Sequence, residues 1–269
     1  METKNVGWLE LADLNLAAVI KSRMNSIPNA TLLEQHGQLA YSIGMPILDG
    51  HLNGILRYSQ DNNTQNIREF CNDFLQRLGH GFVIWIRDHA DSKLETSLRS
   101  LGLAPMREPG SAGMITEQRL SLPETPTDFQ IAKVSTNEEA EDFNRVIAAS
   151  FGMPLAISQL AIGRLSQLTK PNVAAFVIKS QGQAVAAGMT VVEHGVAGLY
   201  YIGTIPQARG RGLGELCTRL LTNTAFDLGA RAAILQASKI GEPLYQRVGY
   251  KTITHYRWYS VHSEIKKVG

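Results

Sequence analysis

Apolar residues recur at helical spacing over 8–24, where Leu9, Ala12, Leu16, Val19 and Ile20 fall along one side, and the turn-forming 25–28 ends that segment. A polar stretch follows, then a short apolar run at 52–58 that predicts a strand. Thr64 is placed to cap a helix reaching Leu78, with Ile67, Phe70, Cys71, Phe74 and Leu78 inward and Gly79 as its stop. GFVIWIR at 81–87 is almost continuously apolar, the pattern of a strand covered on both faces. Asp91 or Ser92 caps a helix through Leu101, and 114–122 reads as a last strand of this half. Leu122 to Asp128, with Pro123 and Pro126 in a polar context, predicts an extended linker.

The second half is more regular. A strand at 129–134 precedes a helix at 138–150 capped by Asn137, with Ala140, Phe143, Val146 and Ile147 inward. Gly152, Met153 and Pro154 break it, and a second helix is expected at 157–168. Alternating runs at 173–179, 184–193 and 199–204 form a meander through turns at 180–183 and at His194-Gly195. Three glycines at alternate positions, Gly210, Gly212 and Gly214, lead into a helix at 215–228. A strand at 231–238, a short helix at 241–248 and an alternating strand at 252–261 complete the chain.

Strand, glycine-rich turn and helix have a chemical use. The first N–H groups of a helix lack partners within it and offer an anion both hydrogen bonds and a favourable field. Glycine lets a phosphate approach the backbone and permits positive φ. No Gly-Lys-Ser/Thr follows, which excludes a Walker loop, and Glu215 stands where G-x-G-x-x-G requires its last glycine. What remains is Arg209-x-x-Gly212-x-Gly214, entered through Thr204-Ile205-Pro206.

This stretch resembles the Q/R-x-x-G-x-G/A pyrophosphate loop of the GNAT superfamily of N-acetyltransferases, and the order of elements across 129–261 is that family's order. Gly241-Glu-Pro-Leu-Tyr245-Gln-Arg-Val-Gly249-Tyr250 is similar to its A-x-x-L-Y-x-x-x-G-F signature, with Gly241 for Ala and Tyr250 for Phe. The resemblance implies an α/β fold with a mixed α+β sheet, the acyl-CoA N-acyltransferase fold, and acetyl-CoA as cosubstrate. It implies that backbone groups of Ile202 and Thr204 run beside the pantetheine and that amides of Arg209, Gly210, Arg211, Gly212, Leu213, Gly214 and Glu215 hold the pyrophosphate, with Arg209 or Arg211 adding charge. Ser238 stands where many relatives carry an Asn that bonds the pantetheine. Tyr245 is implied as the general acid that protonates the departing CoA thiolate, a role open to a phenol at neutral pH.

The expected reaction is direct transfer to a primary amine in a ternary complex. For the base, 199–204 contains no acid; Glu193 and His194 are the nearest candidates, and a water chain touching Tyr200 or Thr204 is preferred. The helices at 138–150 and 157–168 flank the acceptor channel in the family, so Phe151, Met153 and Leu155 are candidates to line it. The first half is similar to the partial N-terminal half of two-domain GNAT proteins, giving 1–122 as a degenerate GNAT-like domain, 123–128 as linker and 129–269 as the acetyltransferase domain. The alternative function is a non-catalytic acetyl-CoA-binding regulator on the same scaffold; Tyr245 favours the enzyme.

Composition narrows this further. With 44% apolar and 19% charged residues, 269 residues suffice for two cores, and no run reaches the ~18 to 20 apolar residues of a membrane helix. The N-terminus lacks a signal peptide's organisation, so a cytoplasmic location is expected. Cys71 and Cys217 are the only cysteines, without His or Cys at ligand spacing, and no metal is expected. Residues 1–125 carry 11 basic and 14 acidic side chains, whereas 126–269 carry 15 and 10, so the basic half holds the phosphate loop. No Lys/Arg run suggests nucleic acid. The expected partner is a small-molecule or peptide amine, with the acceptor unspecified. A homodimer through the strand at 255–259 stays open beside that strand's simpler role as a sheet edge.

Overall fold

The computed structural model describes residues 7–59, 67–123 and 128–262. The expected cap Thr64 and most of the expected linker lie outside these residues. The chain forms two compact units, 1–113 with 252–269, and 114–251. This grouping differs from the expected halves at both ends: the change of unit falls within a strand before the proline-rich segment, and the C-terminal strand is grouped with the first unit.

In the first unit, α1 (Trp8–Met24) has the predicted bounds. Its burial is not confined to one stripe, because Asp13, Asn15 and Arg23 are buried as well as Leu16 and Ile20. The polar stretch after it is a hairpin, β1 (Thr31–Gln35) and β2 (Gln38–Ser42), turned through His36 and Gly37 at φ 48° and 70°. The sheet continues through β3 (Asn53–Arg57), β4 (Phe82–Arg87) and the C-terminal β11 (Lys251–Val261). β3 and β4 are parallel, and β4 pairs antiparallel with β11, Tyr256 opposite Arg87 and Val261 opposite Phe82. On β11's other side, Pro105 bridges Tyr259 and the Met106 amide donates to the Trp258 carbonyl at 2.7 Å. The expectation of a sheet edge is therefore corrected: these flanking bonds make β11 internal. α2 (Ile67–Leu78) and α3 (Ser92–Ser100) cover a core that includes Cys71, Phe74, Phe82, Ile84 and Leu98.

Every residue of β4 is buried, Arg87 included. Its guanidinium donates to Asp91 Oδ2 and Oδ1 at 2.7 and 2.8 Å, to Asp13 Oδ2 at 2.8 Å and to the Ser59 carbonyl at 3.0 Å. Asp13 also accepts from the Tyr256 hydroxyl at 3.0 Å. The charge stays in the core because two carboxylates and a carbonyl take four of its hydrogen bonds. It also explains why Asp91, at the N-cap of α3, makes no capping bond with its side chain: its carboxylate serves Arg87.

In the second unit the strand order is β10-β9-β8-β7-β6, with β6 (Phe129–Lys133), β7 (Val173–Ser180), β8 (Gln183–Glu193), β9 (Val196–Thr204) and β10 (Ala233–Ala237). β6 to β9 are successively antiparallel and β9–β10 is parallel, giving a mixed α/β sheet. β5 (Ser111–Thr116) is where the chain passes from the first unit to the second. The first helix of this unit, α4 (Asn137–Phe151), is capped by Thr136 rather than Asn137: the Thr136 hydroxyl accepts from Glu139 N and Glu139 reaches back to Thr136 N, a reciprocal capping box. The second expected helix is two, α5 (Leu155–Ala161) and α6 (Leu165–Leu168). The break holds Gly163, where an added Cβ would meet Asn144 Oδ1 at 2.0 Å while Asn144 Nδ2 donates to the Gly163 carbonyl.

Candidate active site

The site is built on β9. Its parallel ladder with β10 covers only Ala197–Gly198 against Ala233–Ile234, so among the described residues Leu199 to Thr204 pairs with β8 alone. Against β8 the register shifts: Met189 faces Tyr200 and Ala187 faces Gly203, so Gly188 opposes both Tyr201 and Ile202. Tyr201 takes up the extra residue at φ 53°, a conformation unusual for a bulky residue. The strand thus bends beyond its pairing with β10, and Ile202 and Gly203 lie on that stretch, where an extended ligand could run alongside.

β9 ends at Thr204, and after Ile205 a single 3-10 turn, Pro206–Ala208, leads to the glycine loop. α7 (Leu213–Asp227) starts two residues earlier than the sequence pattern indicates, with Gly212 as its N-cap at φ 76° and no side-chain cap. Leu216 N donates to the Gly212 carbonyl at 3.0 Å, so the amides of Leu213, Gly214 and Glu215 precede the first intrahelical bond. Gly210 has φ 78°, and no atom lies within 4 Å of a Cβ added at Gly210 or Gly212. The two glycines therefore meet open space, with the positive end of a 15-residue helix behind them. Gly214 differs: its added Cβ would touch Leu244 at 3.5 Å, so it serves the packing of α8 (Glu242–Val248) on α7.

The expected charged contributors are occupied elsewhere. Arg209 donates through Nε to the Thr204 carbonyl at 3.3 Å and through Nη2 to the Ser150 carbonyl at 3.2 Å. Arg211 pairs with Asp128 at 2.9 Å and lies over the Phe129 ring at 4.7 Å. Glu215 accepts from Arg219 and from Arg247 of α8, and these bonds, Arg219's first, hold its carboxyl below the usual range. Leu213 is buried. The Ser238 hydroxyl accepts from Gly241 N at 3.2 Å at the start of α8.

Tyr245 projects from α8 beside Cys217 of α7, its ring edge-on to Tyr250 at 6.1 Å. Burial pushes its phenol above the ordinary value and raises the Cys217 thiol to about 12. Gly241 is explained by this packing, since an added Cβ would meet Tyr245 Cε2 at 2.9 Å. The Tyr250 hydroxyl bonds Thr222 at 2.7 Å within the core.

The two faces of β9 differ. A Cβ on Gly188 would meet Leu221, Cys217 and Ile202, which places Ile202 on the α7 face. One on Gly203 would meet Ser150 and Phe151, which makes Gly203 the close approach to the last turn of α4. On that face Phe151 stands edge-on to Tyr201 at 6.0 Å and 84° and remains 50% exposed. Tyr201's position, its conformation and its ring contact carried no sequence signal beyond aromatic strand composition.

Glu193 lies at the other end of β9, opposite Val196, and accepts from Asn172 Nδ2 at 2.9 Å. At about 3.3 Å per strand residue it is on the order of 20 Å from the bulge, and His194 is the neighbouring turn residue at φ 54°. Neither joins the site. Among the described residues no cluster of His, Cys, Asp or Glu is placed to hold a metal ion, and no helix is long and apolar enough to cross a membrane.

Comparison with known proteins agrees with the fold. Solved structures with the same fold include a GCN5-related N-acetyltransferase from Kribbella flavida (TM-score 0.71, 17% identity, 94% of this chain and 95% of that one). Another is a GCN5-related N-acetyltransferase from Sphaerobacter thermophilus (TM-score 0.60, 15% identity, 87% and 76%). A third is a tandem GNAT protein from the clavulanic acid biosynthesis pathway (TM-score 0.60, 10% identity, 97% and 96%). No curated protein matches the chain. The model of the acetyltransferase (GNAT) family, whose members use acyl-CoA and acetylate amines, matches 140–250, which covers α4, the β7–β9 meander, the glycine loop and Tyr245. The chain carries a GNAT-family acetyltransferase domain at residues 140–250.

Proposed function

We propose that the protein transfers an acetyl group from acetyl-CoA to a primary amine, with Tyr245 as general acid. The observation that carries this reading is the joint placement of three features: the bulged stretch of β9 beyond its pairing with β10, the open left-handed glycines at the start of α7, and the half-buried Tyr245 on the adjoining helix. The glycines fit the cosubstrate, because a Cβ at Gly210 or Gly212 would fill the space a phosphate needs. The amides of Gly210 to Glu215 would hold the pyrophosphate, and backbone groups of Ile202 and Thr204 the pantetheine. Arg209 and Arg211, bonded as above, support that binding through the loop's shape rather than by direct charge.

Bound acetyl-CoA supplies a thioester: the amine nitrogen bonds to its carbonyl carbon, the C–S bond breaks, the amine's surplus proton leaves to water and the sulfur is protonated. The Tyr245 phenol, protonated at neutral pH even at its ordinary value, is held above that value by burial and so is in the state a proton donor requires. Burial likewise keeps Cys217 a thiol, which argues against a covalent route through it. With Glu193 at the distant end of the hairpin, the amine's proton is assigned to water near Tyr200 or Thr204.

The test is titration with acetyl-CoA followed by turnover on an amine panel, with Tyr245→Phe as the probe. Binding in both proteins with kcat reduced about 10²-fold or more in the variant supports the enzyme. Binding with no turnover by either protein would favour the regulatory reading. No binding by the folded wild type would refute both.

A further inference from the structure

The face of β9 turned away from Tyr245 has its own chemistry. At the level of the bulge, Ile202 points to Cys217 and the α7 side, where Tyr245 lies, while Gly203 faces the last turn of α4. That turn comes very close: a Cβ on Gly203 would lie 2.7 Å from Ser150 Cβ and 3.2 Å from the Phe151 ring. The approach seats Phe151 over the strand against Tyr201 and leaves half of its surface to solvent. Leu155, at the start of α5, is also exposed, at 39%. Arg209 ties the arrangement together, since its guanidinium joins the Ser150 carbonyl at the end of α4 to the Thr204 carbonyl at the end of β9.

An amine that attacks a carbonyl held along the β9 edge must come from outside the cosubstrate's own groove, and this face is adjacent to the same residues. Its exposed apolar side chains include Phe151 and Leu155, and Arg209 brings a cation to it. A flat ring gains from offset or edge contact with Phe151 and Tyr201. An acceptor bearing several ammonium groups can also lie over these rings by cation–π contact, but its added charges are repelled by the Arg209 guanidinium.

On the reading that the site is an acetyltransferase, we propose that its acceptor is a primary amine carried on a flat aromatic group, with Phe151 and Tyr201 as the specificity-determining wall. The ring rests on the exposed part of Phe151 and the amine reaches the β9 edge between Tyr201 and Thr204. Arg209 is a positioning residue: it holds the end of α4 at the spacing the wall requires.

The experiment compares kcat/KM for benzylamine and phenethylamine with that for propylamine, spermidine and a lysine-containing peptide. It uses the full chain, with acetyl-CoA affinity measured on every protein. The wild type is expected to favour the aromatic amines over propylamine by about tenfold or more, and Phe151→Ala to bring that ratio close to one through KM. Phe151→Leu, which keeps bulk without the ring, should lie between. Unchanged acetyl-CoA affinity in both variants shows that the fold and the cosubstrate site survive. For Arg209, Lys should retain more of the aromatic preference than Ala, because it can still donate to a carbonyl. Spermidine or the peptide as the best acceptor, or an aromatic ratio that Phe151→Ala leaves intact, overturns the proposal. So does acetyl-CoA binding without turnover of either aromatic amine. Failure of the wild type to bind acetyl-CoA would instead refute the parent reading, and this one with it.

Discussion

Gly212→Ala separates the structural use of the glycine loop from its use in binding. Gly212 has φ 76° and ψ 1°, and nothing stands within 4 Å of its added Cβ, so alanine meets no clash and its cost is conformational. Holding an L-residue left-handed costs about 1–2 kcal/mol, or roughly 2–8 °C in Tm for a protein of this size. Asparagine visits this conformation more readily, so Gly212→Asn should lose less. Gly229, just past the end of α7, has φ 89° and equally open surroundings, and Gly229→Ala should show a similar loss. Affinity should follow a different order. If phosphates approach the backbone at Gly212, Ala and Asn both intrude, and acetyl-CoA affinity falls about tenfold or more, while Gly229→Ala binds as wild type. Calorimetric titration and scanning calorimetry give the two quantities. Gly212 variants that lose stability yet bind acetyl-CoA like the wild type would refute the assignment, leaving the glycines to the turn alone.

The remaining predictions concern proton transfer and the first unit. Because burial raises the Tyr245 phenol, kcat should show no alkaline fall attributable to that group below about pH 10, and a descending limb near pH 8 that disappears in Tyr245→Phe would contradict its assigned environment. Against the desolvation that would raise it, bonds from Arg257, Tyr259 and Arg99 hold Glu95 down to about 2. A carboxylate lowered in the folded state stabilises above its unfolded value and loses that contribution as pH falls from about 4.5 towards 2. Wild type should therefore lose about 1–2 kcal/mol more than Glu95→Gln between pH 7 and pH 2.5 by urea unfolding, a figure reduced for the partly solvated setting. Asp13→Ala deprives the buried Arg87 of a partner and should cost about 3–5 kcal/mol by the same method.

Local structure was widely legible where the pattern was self-sufficient. The bounds of α1, the β7–β9 meander and the left-handed stop at Gly79 follow from neighbours in the chain. The β1–β2 hairpin is weakly marked in the sequence because its strands are short, β1 is only partly buried and its turn is His36-Gly37 rather than Asn-Gly or Asp-Gly. The cap of α4 was displaced by one residue, since both Thr136 and Asn137 suit the position and only the reach of Glu139 selects between them.

The sequence by itself determined that a strand, a glycine-rich turn and a helix would meet, and that a tyrosine would follow on a short helix. Those features depend on φ preferences and periodicity within a few residues. The tertiary structure alone decided where side chains with several possible partners would go. Arg209 and Arg211 turn to Ser150, Thr204 and Asp128, and Glu193 is carried to the remote end of its hairpin. β11 reads as a strand from its own alternation, yet its place beside β4 rests on a pairing about 170 residues away along the chain. The same holds for the bulge at Tyr201, because register is a property of two strands and is absent from either one alone.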